Sequence, residues 1–181
     1  MREELRKMLS PARFSHSLGV ADEARRLAGL FGEDEEKAYV AGLLHDCARE
    51  RSPLELASFV PGFIDPVVFA IPGVLHAFAC PKVLKNTFGI TDFSILHAAC
   101  WHATACKNAT VFDKILFVAD MSEKGRTFHG CSDIRDALEY GLDEAYRVTL
   151  GKKLSYLLLK KQVIYPASLE VWNMLNRHHN H

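Results

Sequence analysis

Ala41-Gly42-Leu43-Leu44-His45-Asp46-Cys47-Ala48-Arg49 sets an imidazole and a carboxylate side by side at the end of an apolar helical stretch. An apolar helix rarely carries a carboxylate inward unless a cation or hydrogen bonds compensate it. Four more residues of ligand type sit in comparable settings: His16 before the pair, and His76, His102 and Asp120 after it. His76 follows Gly73-Val74-Leu75 at a loop-to-helix transition. His102 closes Ala98-Ala99-Cys100-Trp101, and Asp120 closes Ile115-Leu116-Phe117-Val118-Ala119. Three apolar helices that each end in His or Asp point to a metal site, and a metal site in a helical cup points to hydrolysis of phosphate. Each residue also has a plainer reading. A lone helix histidine such as His16 is more often a satisfied core or surface residue, and His45 at a helix C-terminus favours the helix dipole. His97 lies five residues before His102, about 140° away around a helix, so the two cannot face one site and His97 reads as structural. His129, in a glycine-flanked loop, is set aside.

Working outward, nearly every segment reads as helix. Ser10-Pro11 is a cap with Pro at the first helical position, and Gly32 is a stop. Between them Phe14, Leu18, Ala21, Ala24, Ala28 and Phe31 repeat at helical spacing. Asp34 caps a second helix carrying Ala38, Ala41, Leu44 and Ala48. Ser52-Pro53-Leu54-Glu55 is a capping box for a short third. The stretch 61–73 is expected to be irregular. A helix then runs into Gly89, with Pro81 in its first turn or at a kink. Thr91 or Asp92 caps a helix through Ala105, and Thr110 caps another through Met121. After the loop Gly125–Gly130, a helical pattern opens at Ser132 and reaches about Lys161, weakened at Gly141 and Gly151. Pro166 and Ser168 open the last helix. No run alternates as a strand does, no repeat is present, and no linker divides the chain. The expectation is one all-α domain spanning 1–181.

The 181 residues are enough for one buried core. Lys plus Arg and Asp plus Glu each number 22, so the formal net charge is zero. That argues against binding a nucleic-acid polymer or an acidic membrane, and leaves room for a local positive pocket. The five cysteines are Cys47, Cys80, Cys100, Cys106 and Cys131, an odd number without a CxxC pair. They read as reduced thiols of a cytoplasmic protein rather than a disulfide framework. The N-terminus does not read as a signal peptide, and no apolar run approaches the roughly 18 residues of a membrane span. The tail His178, His179 and His181 invites adventitious metal binding.

The order H…HD…H…H…D resembles the HD-domain metal-dependent phosphohydrolases. The likeness extends to the YqeK-type bacterial branch, which cuts diadenosine tetraphosphate symmetrically into two ADP. Arg13-Phe14-Ser15-His16-Ser17-Leu18-Gly19-Val20-Ala21 is similar to its RxxHSxGVA opening, and Ala41 to Asp46 to its AGLLHD. Leu75-His76 is similar to its LLH, Trp101-His102-Ala103-Thr104 to its HTT, and Val118 to Arg126 to its ADxxEPxR. Pro166-Ala167-Ser168-Leu169 and Trp172-Asn173 match its C-terminal pattern, so the resemblance runs from about Arg13 to Asn173. It implies an all-helical HD bundle with a binuclear metal centre, usually assigned as iron. Carried over, His16, His45, Asp46, His76, His102 and Asp120 become the metal ligands. Asp46 bridges, one metal taking His16, His45, Asp46 and Asp120 and the other Asp46, His76 and His102. Three departures bear on substrate choice. Arg49 stands where Lys is frequent, Ala103 replaces the first Thr of HTT, and Lys124 replaces the Pro after Glu.

The expected chemistry is attack of a two-metal-activated water on a dinucleoside polyphosphate or another nucleotide. Mixed nitrogen and oxygen ligands suit iron, with manganese, cobalt or nickel as alternatives. Asp46, Arg49 and Arg126 are the catalytic candidates. Arg13 and Arg126 are expected to grip phosphate, Thr104 to donate a hydrogen bond, Glu123 to orient Arg126, and Tyr165 to stack on an adenine or lie in the core. A homodimer stays open. Rival readings are an HD nucleotidase acting on mono- or deoxynucleotides, a nucleotide-sensing HD protein without turnover, and an all-helical interaction module with structural histidines.

Overall fold

The capping signals and the 3.6-residue pattern are realised in ten α-helices in the computed structural model, which describes residues 1–62 and 64–177, with no strand among them. The histidines of the tail lie outside the described residues. The helices are α1 (Arg2–Met8), α2 (Pro11–Phe31), α3 (Glu35–Leu44), α4 (Pro53–Phe59), α5 (Pro72–Phe88), α6 (Phe93–Trp101), α7 (Val111–Ser122), α8 (Cys131–Ala137), α9 (Leu142–Leu159) and α10 (Pro166–Asn176). Short 3-10 turns occupy Pro66–Ala70 and Leu138–Tyr140. No described helix is long and apolar enough to cross a membrane.

Ser10, Asp34, Asp92 and Thr110 cap their helices as the sequence indicates, each side chain accepting from a backbone amide of the first turn. Several boundaries differ, each for a local reason. The second helix stops at Leu44 instead of reaching Ala48, because His45 turns its ring back onto the Gly42 carbonyl. The Ser52 cap forms without the reciprocal half of a capping box, because the Glu55 carboxylate pairs with Arg51. The reciprocal box forms at Thr110 and Asp113 instead. Helix α5 begins at Pro72, so Pro81 lies inside it, where a proline leaves the carbonyl four residues earlier without its amide. Helix α6 ends at Trp101, four residues before Ala105, which takes a positive φ of 68°. Helix α8 opens at Cys131, with Gly130 and not Ser132 at its N-cap. The expected long helix divides at Gly141, whose φ of 110° no helix accommodates, whereas Gly151 stays helical.

Helix α7 is the axle. Helices α2, α3, α6, α8 and α9 all pack on it, and Phe112, Ile115, Leu116, Phe117, Val118 and Ala119 are buried on every side of it. So dense a run of buried apolar residues places this stretch of the helix in the interior. Phe117 meets Tyr146 of α9 edge to face, with centroids 5.0 Å apart. Helices α2 and α3 form the closest pair, and Gly42 is what lets them meet. A Cβ there would lie 2.7 Å from Ala21 Cα and 2.8 Å from the Val20 carbonyl oxygen, both backbone atoms that cannot rotate away. Gly42→Ala is expected to lower the stability of the fold by about 1–3 kcal/mol through overpacking. The check is the midpoint of urea denaturation. An unchanged midpoint would mean that the crossing of α2 and α3 is not set by this contact.

Candidate metal centre

Five segments deliver the six residues to one place. His16 projects from α2, His45 and Asp46 from the end of α3, His76 from the start of α5, His102 from the end of α6, and Asp120 from α7. His45 and His102 repeat one local device. Each is the C-cap of its helix, and each Nδ1 donates to the carbonyl three residues back, His45 to Gly42 and His102 to Ala99, both at 2.7 Å. The bond satisfies a helix-end carbonyl and fixes the tautomer, so Nε2 points into the cluster with its lone pair free. His16 follows the same logic through a side chain, its Nδ1 lying 3.2 Å from Glu123 Oε1.

The donor atoms fall into two groups joined by Asp46. His76 Nε2 and His102 Nε2 stand 3.1 Å apart, and they lie 3.0 and 3.5 Å from Asp46 Oδ1. On the other side, His45 Nε2 lies 3.6 Å from Asp46 Oδ2 and 3.8 Å from Asp120 Oδ1, which is 3.1 Å from His16 Nε2. His45 Nε2 is wholly buried with no hydrogen-bond partner. Such an atom is costly to leave bare, and a divalent cation is a partner of the right kind for it. The residues present therefore fit a metal.

Electrostatics agree. Burial holds His45 and His76 neutral, lowering each to about 4. Burial alone would raise Asp46, but the neighbouring His45, His102 and His76 outweigh it and hold the carboxyl well below its usual range. Asp120 is held down likewise against burial by Lys153, His16 and Arg126. At neutral pH the cluster thus offers neutral His45 and His76 and ionised Asp46 and Asp120, the forms that bind metal.

Cationic groups ring the cluster. Arg13 Nη1 donates to Asp46 Oδ2 at 3.0 Å. Arg126 donates to Asp120 Oδ1 at 2.7 Å and reaches His16 Nε2 at 3.1 Å, while its Nε holds the Asp120 backbone carbonyl at 2.8 Å. Arg49 lies against the His76 ring, 3.0 Å from Nδ1. Lys153, which the sequence reading did not single out, donates to Asp120 Oδ2 at 3.2 Å. The available signal was its register on α9, where it falls on the stripe of buried Tyr146, Thr149, Leu150 and Leu154. Arg135 was also not singled out. It ties the backbone carbonyls of Ser122, Glu123 and Arg126 together, fixing the loop that carries two of the site's side chains.

Three of the expected substrate contacts lie elsewhere. Glu123 faces His16 and not the Arg126 guanidinium. It is seated where a Cβ on Gly19 would come within 2.5 Å of its Oε2, so a side chain there would shift the carboxylate from this position. The Thr104 hydroxyl is spent on the Ala105 carbonyl, and its own carbonyl accepts from Ser168 of α10. Tyr165 is buried edge-on against Phe78, in the core alternative and not free to stack. His97 is structural as expected, bonding to Asp113 at 2.8 Å. Those two residues and Cys106 group their donor atoms, but Asp113 is engaged in capping α7 and burial raises the Cys106 thiol to about 11. A cavity of about 470 Å³ opens beside the cluster, lined by Ser15, His16, Asp22, Arg26, Glu123 and Lys124. A larger hollow of about 570 Å³, lined by α9 and α10 around Trp172, holds none of the six residues.

Comparison with known proteins agrees with this geometry. A family model described as HD domain matches residues 13–124. A protein of Halalkalibacterium halodurans named symmetrical bis(5'-nucleosyl)-tetraphosphatase is 32% identical over 169 residues, covering 92% of this chain and 90% of that one. A Bacillus subtilis protein of the same name is 28% identical over 173 residues, with 94% and 93% covered. Among solved structures, a predicted HD superfamily hydrolase of Clostridium acetobutylicum, described as involved in NAD metabolism, superposes with a TM-score of 0.89. It shares 30% identity, with 97% of this chain and 95% of that one covered.

The two buried neutral histidines give a pH dependence of stability. In the unfolded chain each imidazole takes a proton near 6.5, whereas in the folded protein it resists down to about 4. Between those values the unfolded state binds more protons, so stability falls as pH falls. Chelator-treated protein is expected to lose roughly 1–3 kcal/mol per histidine between pH 6.5 and 4. Urea titrations at pH 7, 5.5 and 4.5 check this, and a flat profile in that window would contradict the burial of neutral imidazoles.

Proposed function

The chain belongs to the HD domain family, and on that premise we propose that it is a symmetrical bis(5'-nucleosyl)-tetraphosphatase, hydrolysing diadenosine tetraphosphate to two ADP at a binuclear metal centre. The observation that carries the reading is Asp46, whose two carboxylate oxygens face different imidazoles. Oδ1 lies toward His76 and His102, and Oδ2 toward His45. His16, His45, Asp46 and Asp120 would hold one ion, and Asp46, His76 and His102 the other. The names borne by the relatives in Halalkalibacterium halodurans and Bacillus subtilis support the substrate. One apolar core running from Leu5 to Val171 supports reading 1–181 as a single hydrolase domain. The imidazole–carboxylate set suits iron, with manganese, cobalt and nickel as alternatives.

When bound, two divalent ions supply Lewis-acid activation of the attacking water and neutralise charge on the phosphates. The protein's own groups do the rest. Arg13 and Arg126 sit at the rim with about a third of each side chain exposed, 33% and 29%. Arg126 donates to Asp120 Oδ1 and His16 Nε2, the atoms an ion would take. Released from those atoms, the guanidinium would be free to turn outward, where its planar fork can grip phosphate oxygens bidentately. Arg49, beside His76, adds positive charge at the far end of the cluster. Charge that builds on phosphate oxygens in a loose transition state is met by these fixed cations.

Anaerobically purified protein, loaded with iron or manganese and given diadenosine tetraphosphate, is expected to yield ADP as the only product. AMP with ATP would overturn the symmetrical reading, and a filled centre without turnover would overturn the substrate. His45→Ala and Asp46→Ala are expected to bring hydrolysis to background with helical circular dichroism retained. Arg126→Ala is expected to lower kcat/KM by about 10²-fold while keeping the wild-type metal content. An unchanged rate at subsaturating substrate removes Arg126 from the mechanism.

A further inference from the structure

Lys153 lies deeper than Arg13 and Arg126, with 16% of its side chain exposed against 33% and 29%. Its neighbour Lys152 turns outward to pair with Asp133. A buried ammonium is stable only when its charge and its three N–H donors are met. Here each direction has a partner: Asp120 Oδ2 at 3.2 Å, the His102 backbone carbonyl at 2.9 Å, and the Phe117 ring, with Nζ 4.5 Å from its centroid. Those contacts join α9 to the C-terminal ends of α6 and α7, the two helices that deliver His102 and Asp120.

The two oxygens of Asp120 are divided between different cations. Oδ1 faces the cluster, toward His16, His45 and the half-open Arg126. Oδ2 faces away, toward Lys153. Arg126 would have to leave Oδ1 for an ion to be held beside His16, whereas the bond from Lys153 to Oδ2 could stay in place. We propose that Lys153 is a positioning residue. By holding Asp120 Oδ2 and the His102 carbonyl, it makes Asp120 a one-oxygen ligand through Oδ1 and fixes the spacing between the two halves of the centre. Without that ammonium the carboxylate is free to rotate about χ2 and present both oxygens. The inference rests on the reading of Asp120 as a ligand.

The test is a manganese(II) titration of chelator-treated wild-type, Lys153→Met and Lys153→Arg proteins. It is paired with infrared difference spectra of the carboxylate stretches and with circular dichroism to check the fold. Lys153→Met is expected to bind manganese about 10–100-fold more weakly, with a narrower separation of the carboxylate stretches as Asp120 turns two-oxygen. Lys153→Arg, which keeps charge and donors, is expected to recover most of the affinity and the wild-type spectrum. Wild-type affinity in a folded Lys153→Met protein overturns the role, and so does equal weakening in the Met and Arg variants, which marks a packing effect. Should Lys153→Met not fold, Lys153→Gln takes its place in the same titration. A wild-type protein that binds no manganese or iron overturns the metal reading, and the part given to Lys153 falls with it, an outcome distinct from wild-type affinity in the Met variant.

Discussion

Two carboxylates held out of water, Asp46 and Asp120, govern the rest of this structure. Taking a carboxylate into a protein interior costs several kcal/mol unless charge and hydrogen bonds are returned to it. Here the return comes from many directions. Arg13 and the imidazoles surround Asp46, while Lys153, Arg126 and His16 surround Asp120. No single helix can supply such a shell, because residues on one helix face reach only their own side of a charge. The convergence of α2, α3, α5, α6, α7 and α9 on one point is what the compensation requires. The C-terminal ends of α3 and α6 lie there, where helix ends have backbone groups to spare. His45 and His102 use carbonyls of their own last turns to set their rings.

The shell has a back and a front. At the back, the partners are backbone or deeply set: the Gly42, Ala99 and His102 carbonyls, Glu123 seated against Gly19, and Lys153. These contacts are dry and leave their groups little freedom, which suits them to holding geometry. At the front, Arg13 and Arg126 make comparable bonds from partly exposed positions, where side chains exchange partners at small cost. Rigid behind and exchangeable in front is the arrangement a hydrolytic centre needs. Under the proposed function the ligand geometry would have to survive turnover, while Arg13 and Arg126 would pass from carboxylate to phosphate and back.

The sequence showed much of this, for physical reasons. Asp46 and Asp120 end apolar runs, so their burial and their need for partners were readable from neighbours alone. The helix starts were readable because Ser10, Asp34, Asp92 and Thr110 carry the capping oxygen themselves. What escaped depended on contacts distant in the chain. Lys153 and Arg135 look like ordinary helix cations until α9 and α8 are folded against α7. Glu123 was read with its neighbour Arg126 and instead meets His16, more than a hundred residues away. Tyr165 precedes a proline and so resembles a free loop residue, yet α10 packs it against Phe78. Helix ends were misplaced where a side chain took the backbone group that would have extended the helix, as His45 does at Gly42.

A chain with no net charge can still draw in a polyanion, because attraction is set by the local field and not by the total. Four cationic side chains, Arg13, Arg49, Arg126 and Lys153, touch the cluster against three carboxylates, Asp46, Asp120 and Glu123. Burial keeps His45 and His76 neutral and adds nothing to either side. The protein component is therefore close to balance, and slightly positive, before any ion enters. Under the proposed function, each divalent ion would add its charge to a site with low-dielectric walls, where fields are strongest. A centre with more carboxylates would bind ions more firmly but cancel the charge that attracts phosphate. With imidazoles as four of the six proposed ligands, the donor set holds ions through nitrogen lone pairs and leaves their charge to the substrate.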